Sequence, residues 1–136
     1  MICKATDLLA DTDPVGRTDA FNPAELLLAS IAVCTMKGIE RVIPMLEFSL
    51  RGVEIHLSGE RQDAPPRMTR IDYEILVDTD KTDRRLDLLH QNVQKYGTIS
   101  NAIALAVPLK GTLGRAPLVG VTPYNGQDST VGGVNT

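Results

Sequence analysis

The chain has 136 residues, a length that fits one domain, and 43% of them are hydrophobic, enough to bury a real core. A net charge of -3 and a pI near 5.3 offer no basic patch for nucleic acid. Met1-Ile2-Cys3-Lys4 leads into no long apolar run of the kind a secretory leader needs, and two cysteines make no disulfide framework, so a reducing, cytoplasmic setting is expected. With 4% aromatic residues and no Trp, the core must be aliphatic.

Residues 5–9 read as strand or loop, and the run from Asp11 to Asp19, with Pro14 and Gly16, reads as turns. Asn22-Pro23-Ala24-Glu25 is a helix-start signature. Asn22 caps, Pro23 takes the first helical position, and the Glu25 carboxylate reaches back to the cap amide. From Leu26 to Cys34 only Ser30 is polar. A helix apolar nearly all round is buried on more than one side. Lys37, Glu40 and Arg41 follow too soon for a membrane span, so this is the expected central helix of the core. Pro44 is expected to end it near Val42–Ile43.

Phe48 to Arg61 reads as a strand whose alternation changes phase at Gly52, which predicts a bulge there. Residues 62–67 form a loop. Met68 to Thr79 is the second strand of a hairpin, with Ile71, Tyr73, Ile75 and Val77 on one face. Thr82 or Asp80 caps a helix running to about Tyr96. Leu86, Leu89, Val93 and Tyr96 form its stripe, and Gly97 stops it. A short apolar segment, Ile99 to Val107, ends at Pro108, and Leu109 to Arg115 is a last strand. Residues 1–115 are therefore expected to be one domain. The Gly-, Pro-, Thr- and Asn-rich residues 116–136 are expected to be a flexible or wrapping tail.

The strong chemical motifs are missing: there is no P-loop, C-x-x-C, H-E-x-x-H or nucleophile elbow. His56 and His90 lie on separate elements, so neither a metal site nor a cofactor is expected. His90, beside Leu89, belongs at the core edge or the surface. Cys34 remains, with two readings. A free cysteine is among the most buried residue types and packs as a small hydrophobe. A reactive one needs a positive neighbour, and Arg17 in the preceding loop is the candidate. Cys34 shares a helix face with Leu27, Ser30, Ile31 and Gly38. Ser30 and Gly38 are small and leave room beside the sulfur for another helix or a substrate. Glycine inside a helix costs about 1 kcal/mol against alanine, which implies close packing at Gly38. Glu25, about 13 Å up the axis and on the opposite side from Cys34, is read as a cap.

The run from Asn22 to Thr35 resembles the N-P-x-E-L-L-x-A-A-x-x-A-C helix of the OsmC/Ohr family, the osmotically inducible and organic-hydroperoxide-resistance proteins. Tyr96-Gly97-Thr98-Ile99-Ser100-Asn101 is similar to the family's Y-C-P-V-S-N segment, and the resemblance covers roughly residues 12–115, with the leading hairpin shortened. It implies an α+β fold with a long central helix against an antiparallel sheet. It also implies an intertwined homodimer with its active sites at the subunit interface. In the family's peroxidases the helix cysteine attacks the peroxide and becomes a sulfenic acid. A second cysteine resolves it, a dithiol such as a lipoyl group reduces the disulfide, and an Arg and a Glu organise the thiolate.

Carried over by position, Cys34 matches the attacking cysteine, Gly97 stands where the resolving cysteine would be, and Ala24 stands at the catalytic Glu, with Glu25 one residue off. Arg17 lies in the loop from which the activating Arg would come. The expected catalytic residues are Cys34 and Arg17. The expected substrate-binding residues are Ser30, Ile31, Gly38, Tyr96 and Gly97. The resemblance thus points to a one-cysteine reduction of organic hydroperoxides with an external thiol as reductant. The alternatives are a dimeric protein that binds a small apolar ligand without catalysis, or a structural module. No nucleic-acid or membrane partner is expected.

Overall fold

The structure, a computed structural model, describes residues 2–117 and 134–135. A two-residue hairpin, β1 (Ile2–Cys3) and β2 (Thr6–Asp7), comes first. The long helix α1 (Pro23–Leu46) follows, then β3 (Gly52–Asp63) and β4 (Pro66–Asp78). Two helices, α2 (Asp83–Tyr96) and α3 (Thr98–Ala104), lead to β5 (Leu109–Arg115), and β6 (Val134–Asn135) is the last element.

The capping box forms as the sequence predicts. Glu25 N–H donates to the Asn22 side chain and Asn22 N–H donates to the Glu25 carboxylate, both at 2.9 Å. The far end differs from expectation. Pro44 lies inside the last turn, the helix runs on to Leu46, and Glu47 closes it in the left-handed conformation with φ 50°. Tertiary contacts outweigh the cost of the proline here. Phe48, next in the chain, is buried and its N–H donates back to Ile43 O at 3.0 Å. From α2, the Arg85 guanidinium donates to the Leu46 carbonyl and lies over the Phe48 ring.

β3 and β4 pair antiparallel from Gly52↔Asp78 to Asp63↔Pro66. The bulge expected at Gly52 falls instead between Glu60 and Arg61. The change of phase at Gly52 marks where the connecting segment ends and the strand begins: Phe48 is buried as the anchor of the α1 terminus, not as a strand residue. The sheet order is β5-β4-β3-β6, with β5 parallel to β4 and β6 parallel to β3. A parallel neighbour needs a crossover, and α2 and α3 supply it between β4 and β5. The tail assigned to residues 116–136 falls mostly outside the described residues.

One face of the sheet meets the helices. Val53, Ile55 and Leu57 of β3 and Ile71, Ile75 and Val77 of β4 are buried there. They pack with Leu28, Ile31, Ile39 and Val42 of α1 and with Leu86, Leu89 and Val93 of α2. The stripe expected on α2 is the one observed, with Tyr96 at its edge. Tyr73 packs beside the C-terminal half of α2, bonded to His90 and Gln94. Its ring lies on Gly111 of β5, directly opposite in the register, where an added Cβ would be 2.1 Å from the ring.

Candidate active site around Cys34

α1 buries one face against the sheet and α2, and leaves a second apolar face without cover among the described residues. Leu26, Ala29, Ser30 and Val33 recur along this second face, and Val33 is 46% exposed. Cys34 sits on the boundary between the two faces and is half-buried. Beside it lies an open groove of about 1070 Å³. Leu8 and Phe21 wall it on one side, and Tyr96, Thr98 and Ile99 on the other. Lys37, Glu40 and Arg41 border its far end.

Local chain chemistry places these walls. The buried Asp11 carboxylate accepts the N–H of Asp13 at 2.9 Å and of Arg17 at 2.8 Å, tying the turn-rich loop into a knot. Asp11 N–H donates to Phe21 O at 2.9 Å, which sets Phe21 at the entry to α1. On the other side Gly97 ends α2 and starts α3, and the first turn of α3 meets Cys34. The Ile99 N–H donates to Cys34 Sγ at 3.4 Å, a contact between residues 65 apart in the chain. Arg41 stacks over the Tyr96 ring at 4.8 Å and Lys95 over it at 5.4 Å, so cations gather at that end of the groove.

The residues singled out in the sequence divide. Ser30, Gly38 and Tyr96 border the groove with Cys34. The Ser30 hydroxyl donates to its own helix at Leu27 O (2.7 Å), so only its lone pairs are free to face a guest. Ile31 is fully buried in the core and does not border the groove. Gly97 lines a separate small cavity of about 140 Å³ behind the groove, with Thr35, Tyr73 and Ser100. Arg17 pairs with Asp19 through two hydrogen bonds of 2.8 and 2.6 Å, which raise the guanidinium pKa and lower that of the Asp19 carboxyl. It borders an adjoining depression that shares Leu8 and Phe21 with the groove. Glu25 serves its helix start, as the angular argument requires.

The histidines are engaged elsewhere. His56 pairs with Glu54 at 2.5 Å. His90 Nε2 lies 2.8 Å from the Tyr73 hydroxyl, which also accepts from the Gln94 amide at 3.0 Å. The Tyr73 hydroxyl thus joins His90 and Gln94 of α2 to β4. Burial lowers the His90 pKa and raises that of Tyr73.

A sequence model of the family described as OsmC-like protein matches residues 16–111. The chain belongs to the OsmC-like protein family. No curated protein matches it significantly. Solved structures agree on the fold. An OsmC-like protein from Mycoplasma pneumoniae superposes with a TM-score of 0.78 at 14% identity, over 85% of this chain and 86% of that one. An organic hydroperoxide resistance protein OsmC from Legionella pneumophila gives 0.58 at 22% identity, over 72% of each chain. The organic hydroperoxide resistance protein OhrB of Bacillus subtilis gives 0.54 at 22% identity, over 74% of each.

Two parts of the site escaped the sequence. The groove-facing residues Leu26, Ala29 and Val33 carried a usable signal, since they recur at helical spacing on the face away from Leu28, Ile31 and Ile39. Leu8, Phe21 and the Ile99 amide carried none, because only the folded chain brings them to Cys34.

Proposed function

We propose that this OsmC-like chain reduces organic hydroperoxides through Cys34, with an external thiol as reductant. The observation that carries the reading is the half-buried Cys34 opening onto a large apolar groove, within the residues that the family model matches. An alkyl hydroperoxide has an apolar body for such a groove and an O–O bond for the thiolate to attack. The sulfur takes the terminal oxygen and becomes a sulfenic acid, while the other oxygen leaves as the alcohol. Gly97 supplies no sulfur at the resolving position, so the reducing equivalents come from a thiol outside the chain.

We assign the working unit to residues 1–115 as a homodimer in a reducing, cytoplasmic setting. Supporting the dimer, Leu8, Phe21, Val33 and Ile99 are each at least 40% exposed around one groove. No described helix is long and apolar enough to cross a membrane. Arg17 is assigned the role of the activating cation. Its replacement by alanine then slows Cys34 oxidation, whereas an unchanged rate limits Arg17 to its pairing with Asp19.

The test is oxidation of the purified protein by cumene hydroperoxide with a dithiol present. Turnover is expected, and it vanishes in Cys34→Ala. A Cys34 that stays reduced while a free-thiol control reacts overturns the proposal. Apolar-ligand binding that persists in Cys34→Ala would then favour the second reading, a non-catalytic binder using the same apolar groove.

A further inference from the structure

Resting on the peroxidase reading, we infer that oxidised Cys34 closes onto the backbone nitrogen of Ile99 as a cyclic sulfenamide, which takes the place of the resolving disulfide. Three observations meet at this point. Gly97 provides no thiol, and among the described side chains Cys34 is the only cysteine. The atom facing the sulfur is the Ile99 nitrogen, 3.4 Å away. That amide lies in the first turn of α3, where no carbonyl four residues back can accept it, so the sulfur is its hydrogen-bond partner and no backbone bond is broken by the reaction. Cys34 and Ile99 both line the groove, so the peroxide and the departing water have a path to this pair.

The chemistry balances. The organic hydroperoxide oxidises the thiolate by two electrons to the sulfenic acid and leaves as the alcohol. The Ile99 nitrogen then displaces the sulfenic oxygen: the S–O and N–H bonds break, the S–N bond forms, and water departs with no further change of oxidation state. One external thiol opens the S–N bond to a mixed disulfide and returns the proton to nitrogen. A second thiol releases the Cys34 thiol and carries away the oxidising equivalents as its own disulfide. The closed form has no sulfenic acid left to advance to the sulfinic state.

Trypsin makes the inference testable, because Cys34 and Ile99 fall in different peptides, 18–37 and 96–110, while Cys3 falls in 1–4. After limiting cumene hydroperoxide, the full-length Cys3→Ser protein is expected to lose two hydrogens in intact mass. Digestion is expected to give peptide 18–37 joined to 96–110, and a dithiol separates them. Ile99→Pro removes an N–H that no helix bond uses; with the fold retained by circular dichroism, it is expected to abolish the cross-link and to accumulate sulfinic acid. A Cys34 that oxidises to a dimedone-trapped sulfenic acid in Cys3→Ser, yet never joins peptide 96–110, overturns this inference and leaves the peroxidase reading standing. A Cys34 that does not oxidise at all overturns both. A peptide 18–37 joined only to 1–4 in the unsubstituted protein assigns the resolving role to Cys3 and also overturns it.

Discussion

Gly38→Ala tests whether the groove-side glycine of α1 is required by contacts within one chain. A Cβ built there meets Val93 Cγ1 at 3.5 Å and the Val93 carbonyl at 3.7 Å, ordinary contact distances that need no shift of α2. Alanine in mid-helix gains about 0.8–1 kcal/mol in propensity, and one buried methyl adds up to about 0.8 kcal/mol. The variant is therefore expected to be about 1–2 kcal/mol more stable, a rise in Tm of about 3–8 °C. One methyl is small beside a groove of about 1070 Å³, so peroxide turnover should hold. Urea titration at several protein concentrations measures the change, with the slope m expected to stay constant. A loss of stability would refute the single-chain reasoning. If that loss also depends on protein concentration, a second copy packs against this part of α1.

Gly111→Ala is expected to cost about 1–3 kcal/mol, because its Cβ would overlap the Tyr73 ring at 2.1 Å and force the sheet or the ring to move. A midpoint of urea unfolding that does not fall would contradict this. Asn22→Ala removes the side-chain half of the capping box and should lower stability by about 1 kcal/mol; a change indistinguishable from zero would show that Glu25 and Pro23 set the helix start unaided. His90 should make stability depend on pH. Its folded pKa lies below the unfolded value, so as pH falls through about 6.5 the unfolded chain takes up a proton that the folded chain resists. The stability is present above that window and declines below it. His90→Gln, which keeps an acceptor for Tyr73, should flatten the decline; an unchanged slope would clear His90 of the effect.

The sequence by itself determined the parts of this protein that local rules govern. The start of α1 follows from hydrogen bonds between Asn22 and Glu25, three residues apart. The pairing of β3 with β4 follows from side-chain alternation, and the stripe on α2 from a 3.6-residue period. The motif around Cys34 identified the family because those residues are contiguous. Tertiary structure decided what local rules leave open. The helix passes Pro44 because Phe48 is buried beyond it and Arg85 reaches Leu46 from another helix. Gly52 looked like a bulge because Phe48 is apolar for a reason unrelated to any strand. Cys34 was legible as an isolated thiol. Its groove came from Leu8, Phe21 and Ile99, which no periodicity connects to it. Its backbone donor among the described residues, the Ile99 N–H, comes from 65 residues along the chain. Such a donor belongs to no side chain, so it exists as a feature of the site only once α3 has packed against α1.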